Sequence, residues 1–148
     1  MLRSFKEISL PQTRRNLALL LPALMAAQAS AQPGQLPSKT WRFEDLTVRP
    51  NGKNRSRPVL NGKTVKSFPI EMHETELAPG EMPHPAHHHE HVEILLMREG
   101  SIEVTMGSKV TVLGPGSVVY VAPNEEHGWK NVGSTPAHYF VFALGREA

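Results

Sequence analysis

The stretch His87-His88-His89-Glu90-His91-Val92-Glu93 places four imidazoles and two carboxylates within seven residues. Imidazole nitrogen and carboxylate oxygen are donors that first-row divalent metals favour. His87, His89, His91 and Glu93 have odd parity, so on a β-strand all four side chains point to one face and His88 to the other. A same-face histidine pair followed by an in-phase carboxylate is the pattern of a metal site. The bland alternative is a flexible tract that sequesters metal without a fixed site. Against it stand the in-phase Glu93 and the apolar run Ile94-Leu95-Leu96-Met97 behind it. His91 shares the ligand face and reads either as an acid/base at the pocket mouth or as a solvated rim residue. His84 sits in the exposed loop Pro83-His84-Pro85, while His73 and His138 fall in strand-like runs as satisfied structural histidines.

The elements that must position these residues read as strands. Ile102, Val104 and Met106 alternate with Ser101, Glu103 and Thr105, the pattern of a half-buried strand. Gly107-Ser108-Lys109 and Gly114-Pro115-Gly116 read as tight turns around a short strand over 110–113. Val118 to Ala122 makes another, ended by Pro123-Asn124, and Tyr139 to Leu144 a last one. Phe68 to His73 reads as a strand leading into a loop at Gly80. Asn51-Gly52-Lys53 recurs as Asn61-Gly62-Lys63, and Asn-Gly is a strong hairpin signal. No stretch after residue 32 shows a capped helical stripe. Short strands with Gly/Pro turns at short intervals predict an antiparallel sandwich or barrel.

Gly80 to Gly100 resembles the first conserved motif of the cupins, a glycine, an HxH pair, a glutamate and a second glycine, here Gly80, His87, His89, Glu93 and Gly100. The loop from Gly80 to His87 is one residue longer than is usual in that family. Gly116 to Asn131 resembles the second motif through Gly116, Pro123, His127 and Asn131. The family's glycine between proline and histidine is absent, and Asn124-Glu125-Glu126 stands there. The resemblance implies a small single-domain, all-β cupin barrel (a jelly roll, or double-stranded β-helix). It also implies His87, His89, Glu93 and His127 as metal ligands, with His127 just beyond a strand end and turned back into the barrel. Three imidazoles and one carboxylate leave two positions of an octahedron open, an arrangement suited to catalysis. Family members commonly pair through an exposed sheet edge, which implies a homodimer.

Residues 1–31 read as a signal peptide. Arg14-Arg15 begins a twin-arginine pattern, Leu17 to Ala27 is apolar, and Ala29-Ser30-Ala31 offers a cleavage site. Pro22 and the shortness of the stretch argue against a membrane span. Residues 32–40 then form a Pro/Gly/Gln/Ser linker and 41–148 the folded domain. Without the leader, 12 of the 16 basic and 13 of the 14 acidic residues remain, a net charge of about −1. That balance gives no electrostatic case for nucleic acid. One basic cluster survives, Arg49, Lys53, Arg55 and Arg57, either a solvated hairpin or the source of an arginine that covers the barrel mouth and pairs with an acidic substrate. The chain has no cysteine, so no disulfide holds it.

The expectation is therefore an exported, periplasmic or secreted protein that binds one divalent transition-metal ion and a small organic molecule. Export in the folded state favours manganese or iron loaded beforehand, with zinc, nickel or copper as alternatives. The first functional reading is a mononuclear metalloenzyme of oxidoreductase or dioxygenase type, with Glu93 and His91 as catalytic residues. The second is a non-catalytic cupin that binds metal or a small ligand.

Overall fold

Alternation between apolar and polar residues builds two facing layers of strands. The computed structural model describes residues 34–145, and the signal-peptide reading of 1–31 lies outside the described residues. The strands are β1 (Arg49–Asn51), β2 (Asn54–Lys63), β3 (Pro69–Leu77), β4 (Val92–Glu99), β5 (Ile102–Met106), β6 (Lys109–Leu113), β7 (Val118–Val121), β8 (His127–Asn131) and β9 (Ala137–Leu144). The larger sheet has the order β1-β2-β3-β9-β4-β7 and the smaller β6-β5-β8, with every neighbour antiparallel. Only a 3₁₀ turn, Phe43–Asp45, is helical among the described residues. No helix there is long and apolar enough to cross a membrane. The result is the all-β jelly-roll barrel that the resemblance implied.

The core lies between the layers. Ala137, Tyr139, Val141 and Ala143 of β9 are buried every second residue, as are Val119 and Val121 of β7 and Ile102 and Val104 of β5. All but Ala143 pack with Leu77, Leu95, Met97 and Trp129 into one cluster that joins both sheets. Trp129, Tyr139 and Val141 of this core also line the cavity that receives the histidine tract.

Two motif residues lock the frame. Asn131, fully buried, donates from Nδ2 to the carbonyls of Leu77 (2.7 Å) and Thr135 (2.9 Å) and accepts the Gly133 N–H at 2.8 Å. Gly100 has φ 79°, and a Cβ there would stand 2.6 Å from Ala137 Cα and 2.8 Å from the Pro136 carbonyl oxygen. Both the left-handed backbone and the close approach require glycine. Gly100→Ala is expected to destabilise the metal-free protein by about 2–4 kcal/mol, from left-handed strain plus overpacking. Urea denaturation measures this, and a loss below about 0.5 kcal/mol, the usual range for a surface substitution, would show that the β4–β5 turn yields freely.

Several local expectations need correcting. Strand β4 begins at Val92, so 87–91 is irregular chain rather than strand. His127 does not lie beyond a strand end but opens β8, which its polar, glycine-containing sequence conceals. Asn51-Gly52 turns the β1–β2 hairpin, but Asn61-Gly62 runs inside β2. There a Cβ on Gly62 would meet Leu36 Cγ at 2.9 Å, so this glycine admits a neighbour instead of turning the chain. Within the proposed linker, Gln35 bridges Lys63 in parallel, and Leu36 N–H donates to the Lys63 carbonyl at 2.9 Å.

Candidate metal centre

The irregular segment carrying the histidines is pinned by its backbone. His87 and His127 exchange reciprocal N–H to carbonyl hydrogen bonds of 2.9 Å each. The Asn124 N–H donates to the His89 carbonyl at 2.7 Å, with Asn124 at φ 63°, a left-handed conformation that asparagine tolerates. Glu93 is the second residue of β4, paired with Val121 on one side and Ala143 on the other. His87, His89, His91 and Glu93 all line one cavity, whereas His88 and Glu90 are exposed. The odd-parity face survives although the strand does not.

The hydrogen bonds fix which ring nitrogens carry lone pairs. A carbonyl only accepts, so His89 Nδ1–H donates to the His91 carbonyl (2.8 Å) and His127 Nδ1–H to the Glu125 carbonyl (2.8 Å). That leaves Nε2 of both rings as acceptors. His127 Nε2 is buried without a hydrogen-bond partner, and so is His87 Nδ1. His89 Nε2 meets Glu93 Oε2, a second acceptor, at 3.0 Å. Two acceptors at that separation need a proton or a metal ion to join them, and the orphaned His127 Nε2 needs the same. The donor set therefore fits a divalent metal.

Not all four expected ligands converge. Donor atoms of His87, His89 and His127 lie within 4.8 Å of one another, while Glu93 groups with His89 and His91. His89 belongs to both groups. His91 stacks on it with ring centroids 3.6 Å apart and planes 8° apart. His88 points outward, with Nδ1 3.3 Å from Glu126 Oε2. His84 is exposed yet sets its ring edge against His87, centroids 4.2 Å apart. His73 donates to Glu71 at 2.9 Å and also lines the cavity. His138 donates to Glu74 at 2.8 Å on the other face of the sheet.

The cavity encloses about 450 Å³. Its wall includes two aromatic residues that the sequence reading did not single out. Trp129 lies against the His127 ring, centroids 5.5 Å apart and planes at 28°, and donates its indole N–H to Tyr139 Oη at 2.9 Å. Burial holds the Tyr139 phenol above its usual pKa, so it stays protonated at neutral pH. The parity of Trp129 with His127 was the available signal, hidden because β8 was not recognised. Most of the basic cluster is the solvated hairpin, with Arg49 and Lys53 exposed on β1–β2 and Arg55 at the cavity edge, but Arg57 turns away from it. His73 and Thr75 face the cavity, so Glu74 and Glu76 face the opposite side, and there Arg57 binds Glu74 Oε2 (2.6 Å) and Glu76 Oε2 (3.0 Å).

Burial depresses the His87 pKa from 6.5 to about 4, helped by the neighbouring His84, His127 and His89 and opposed by Glu126. The ring is therefore neutral and ready to bind metal at physiological pH. In the metal-free protein the unfolded chain takes up this proton below 6.5 and the folded chain only near 4. Stability from this group is thus complete above pH 6.5 and is lost as pH falls through that window. Urea denaturation of metal-free protein between pH 4 and 7 is expected to show the loss, reduced in His87→Ala. An equal slope in both proteins would assign it elsewhere.

Comparison with known proteins agrees with the barrel. Residues 73–143 match the cupin domain. A cupin from Shewanella frigidimarina, described as RmlC-like, superposes with a TM-score of 0.61 at 18% identity, over 74% of this chain and 94% of that one. KdgF from a Halomonas species gives 0.64 at 15%, over 75% and 96%. The polyketide cyclase RemF from Streptomyces resistomycificus gives 0.60 at 18%, over 74% and 81%. No curated protein sequence matches the chain. Domain match, barrel topology and motif positions thus agree on a cupin domain over residues 73–143 within a cupin-like barrel.

Proposed function

We propose that the chain is an exported, mononuclear metal-dependent cupin of oxidoreductase or dioxygenase type that acts on a small organic molecule. The observation that carries this reading is the pair of buried, unpartnered ring nitrogens, His87 Nδ1 and His127 Nε2, gathered with His89 beside a 450 Å³ cavity. His87, His89 and His127 would hold the ion, with Glu93 joining by rotation of its side chain. Manganese or iron is favoured, since both accept a carboxylate beside imidazole. When bound, such an ion supplies Lewis-acid or redox chemistry to a small substrate. The chain itself contributes a cavity of substrate size and a phenol, Tyr139, that stays protonated in its wall. Glu93 and His91 are the groups able to accept a proton there.

Export is proposed from the residues of the leader alone. Homodimer formation is supported by an apolar strip on the outside of the larger sheet, where exposed Leu96 pairs with exposed Val118 and exposed Tyr120 lies opposite Ile94. A second functional reading, binding without turnover, is supported by the engagement of Glu93 with His89 and of His91 with the same ring, which leaves no separate general base.

Glu93→Gln separates the two readings. It keeps shape and an oxygen donor but removes the charge. The expected outcome is a measurable share of metal retained, with turnover reduced by roughly 100-fold or more, the range for loss of a general base. The assay is oxygen uptake and an isomerase screen on protein with verified metal. Wild-type turnover in Glu93→Gln would remove the carboxylate from the chemistry. A metal-loaded wild type inactive throughout the screen would favour the binding module.

A further inference from the structure

The geometry points to His73 as a general base that looks on the histidine cluster from across β9, with Glu71 as its positioning residue. This inference rests on the proposed metal-dependent reading of the cavity and names a substrate class for it, a hydroxy ketone with a hydrogen on the carbon beside its carbonyl. Glu71 and His73 stand two residues apart on β3, on the face that also carries Thr75. His73 Nδ1 meets Glu71 Oε1 at 2.9 Å and Oε2 at 3.2 Å. An ionised carboxylate only accepts, so the proton of the neutral ring sits on Nδ1 and Nε2 keeps its lone pair. Among the described residues Glu71 forms no other ion pair, so its charge serves this ring alone. His73 Nε2 has no hydrogen-bond partner among those residues, yet it is not sealed from solvent as His87 Nδ1 and His127 Nε2 are. β2 and β9 flank β3, and the residues paired with His73 are Pro58 and Val141, whose side chains cannot hydrogen-bond. The nitrogen is therefore open to the cavity that His73 lines.

The dyad reaches the part of a bound molecule that the ligand set does not. Glu71 pairs with Ala143 and Ala143 with Glu93, which sets β3 and β4 two strand spacings, about 10 Å, apart. His73 lies one pleat further along, beside Val141. With the carbonyl oxygen of a substrate against the histidine cluster, the neighbouring carbon lies toward β3. Within the histidine tract Glu93 and His91 are both engaged with His89, and the separate base that the tract lacks comes from β3. His73 Nε2 takes the proton from that carbon. The C–H bonding pair becomes a C=C bond, the carbonyl π pair moves onto oxygen to give an enolate, and the new imidazolium is paired with Glu71. Return of the proton restores neutral His73, so no oxidant or second reactant is needed. Ser56, Thr75 and Tyr139 bring hydroxyl groups to the same wall, and Arg55, the cation at the rim, is paired with Glu76. That lining suits a neutral hydroxy ketone better than a carboxylic acid.

The probe is hydroxyacetone in deuterium oxide, incubated with full-length protein of verified Mn(II) content and recovered for mass spectrometry. The wild type is expected to speed the entry of deuterium beside the carbonyl. His73→Gln, which cannot take a proton, should slow it roughly 100-fold or more while Mn(II) affinity stays within about 3-fold. His73→Ala opens space for added imidazole, which should restore part of the lost exchange, as it would not if the ring served packing alone. Glu71→Gln should lower kcat for exchange roughly 10-fold or more with KM little changed, the mark of a ring that has lost its orienting partner. Independently of turnover, ring nitrogen NMR of the metal-free protein at mildly alkaline pH should show the His73 proton on Nδ1 and Nε2 bare. Wild-type exchange in His73→Gln, no rescue of His73→Ala by imidazole, or a proton on Nε2 would overturn the inference. A Mn(II)-loaded wild type with no exchange above buffer would also overturn it and leave the metal reading standing. A wild type that binds no Mn(II) brings down the metal reading and this inference with it.

Discussion

His127→Ala is expected to lower Zn(II) affinity by roughly 100-fold or more, exceeding the 10–100-fold typical for partners one shell further out. His88→Ala, from the same tract, should stay within about 2-fold, because its removal takes nothing from the donor set. The contrast follows from where the nitrogens lie. His127 Nε2 is buried without a partner and its ring is held by the Glu125 carbonyl and the Trp129 face. His88 is exposed beside Glu126. A metal that binds only the folded state also raises the melting temperature by mass action, so chelation should lower it in the wild type and change little in His127→Ala. Chelator competition and thermal melts with and without zinc provide the readouts. Equal zinc loss in the two variants would mean that the tract binds through its composition and not through the geometry of the barrel.

Much of this architecture was legible, and the exceptions have physical causes. β5 could be read from its alternation, and β7 and β9 as apolar runs, the first of them ended by Pro123-Asn124. β8 could not be read, because His127-Gly128-Trp129-Lys130-Asn131 contains no β-branched residue and four of its five residues are buried regardless of parity. The shared face of His87, His89, His91 and Glu93 was anticipated from a strand that does not form at 87–91. The backbone bridge to His127 holds the extended chain there instead. The division of Glu93 from His87 and His127 depends on a side-chain rotamer and on the His89–His91 stack, which sequence spacing does not encode. Gly62 looked like a turn because Asn-Gly usually is one, but here tertiary packing of Leu36 sets the need for glycine.

Arg57→Leu is expected to destabilise the metal-free protein by about 3 kcal/mol, the lower part of the range for breaking one side of a buried ion pair. Glu74 is fully buried, and the Arg57 side chain is only 12% exposed. Arg57 reaches Glu74 at 2.6 Å and Glu76 at 3.0 Å, and its guanidinium lies over the Phe43 ring at 5.0 Å. Burial opposes ionisation of Glu76, but the hydrogen bond from Arg57 and the charges of Arg55 and Arg57 outweigh it and hold that carboxyl below its usual pKa. Among the described residues, removing Arg57 leaves Glu74 with His138, 2.8 Å away, as its remaining hydrogen-bond donor, and that bond is why the loss sits low in the range. The network joins β2, β3 and β9 and clasps Phe43 between Arg57 and Arg98, so the segment before β1 should loosen together with it. The double variant Arg57→Leu/Glu74→Leu removes both charges, leaves no unpaired carboxylate, and is expected to recover most of the stability. Urea denaturation of the three proteins distinguishes the cases. A single variant within about 0.5 kcal/mol of wild type would show that His138 alone satisfies Glu74, and a double variant as unstable as the single would assign the loss to packing against Phe43 instead of to the stranded charge.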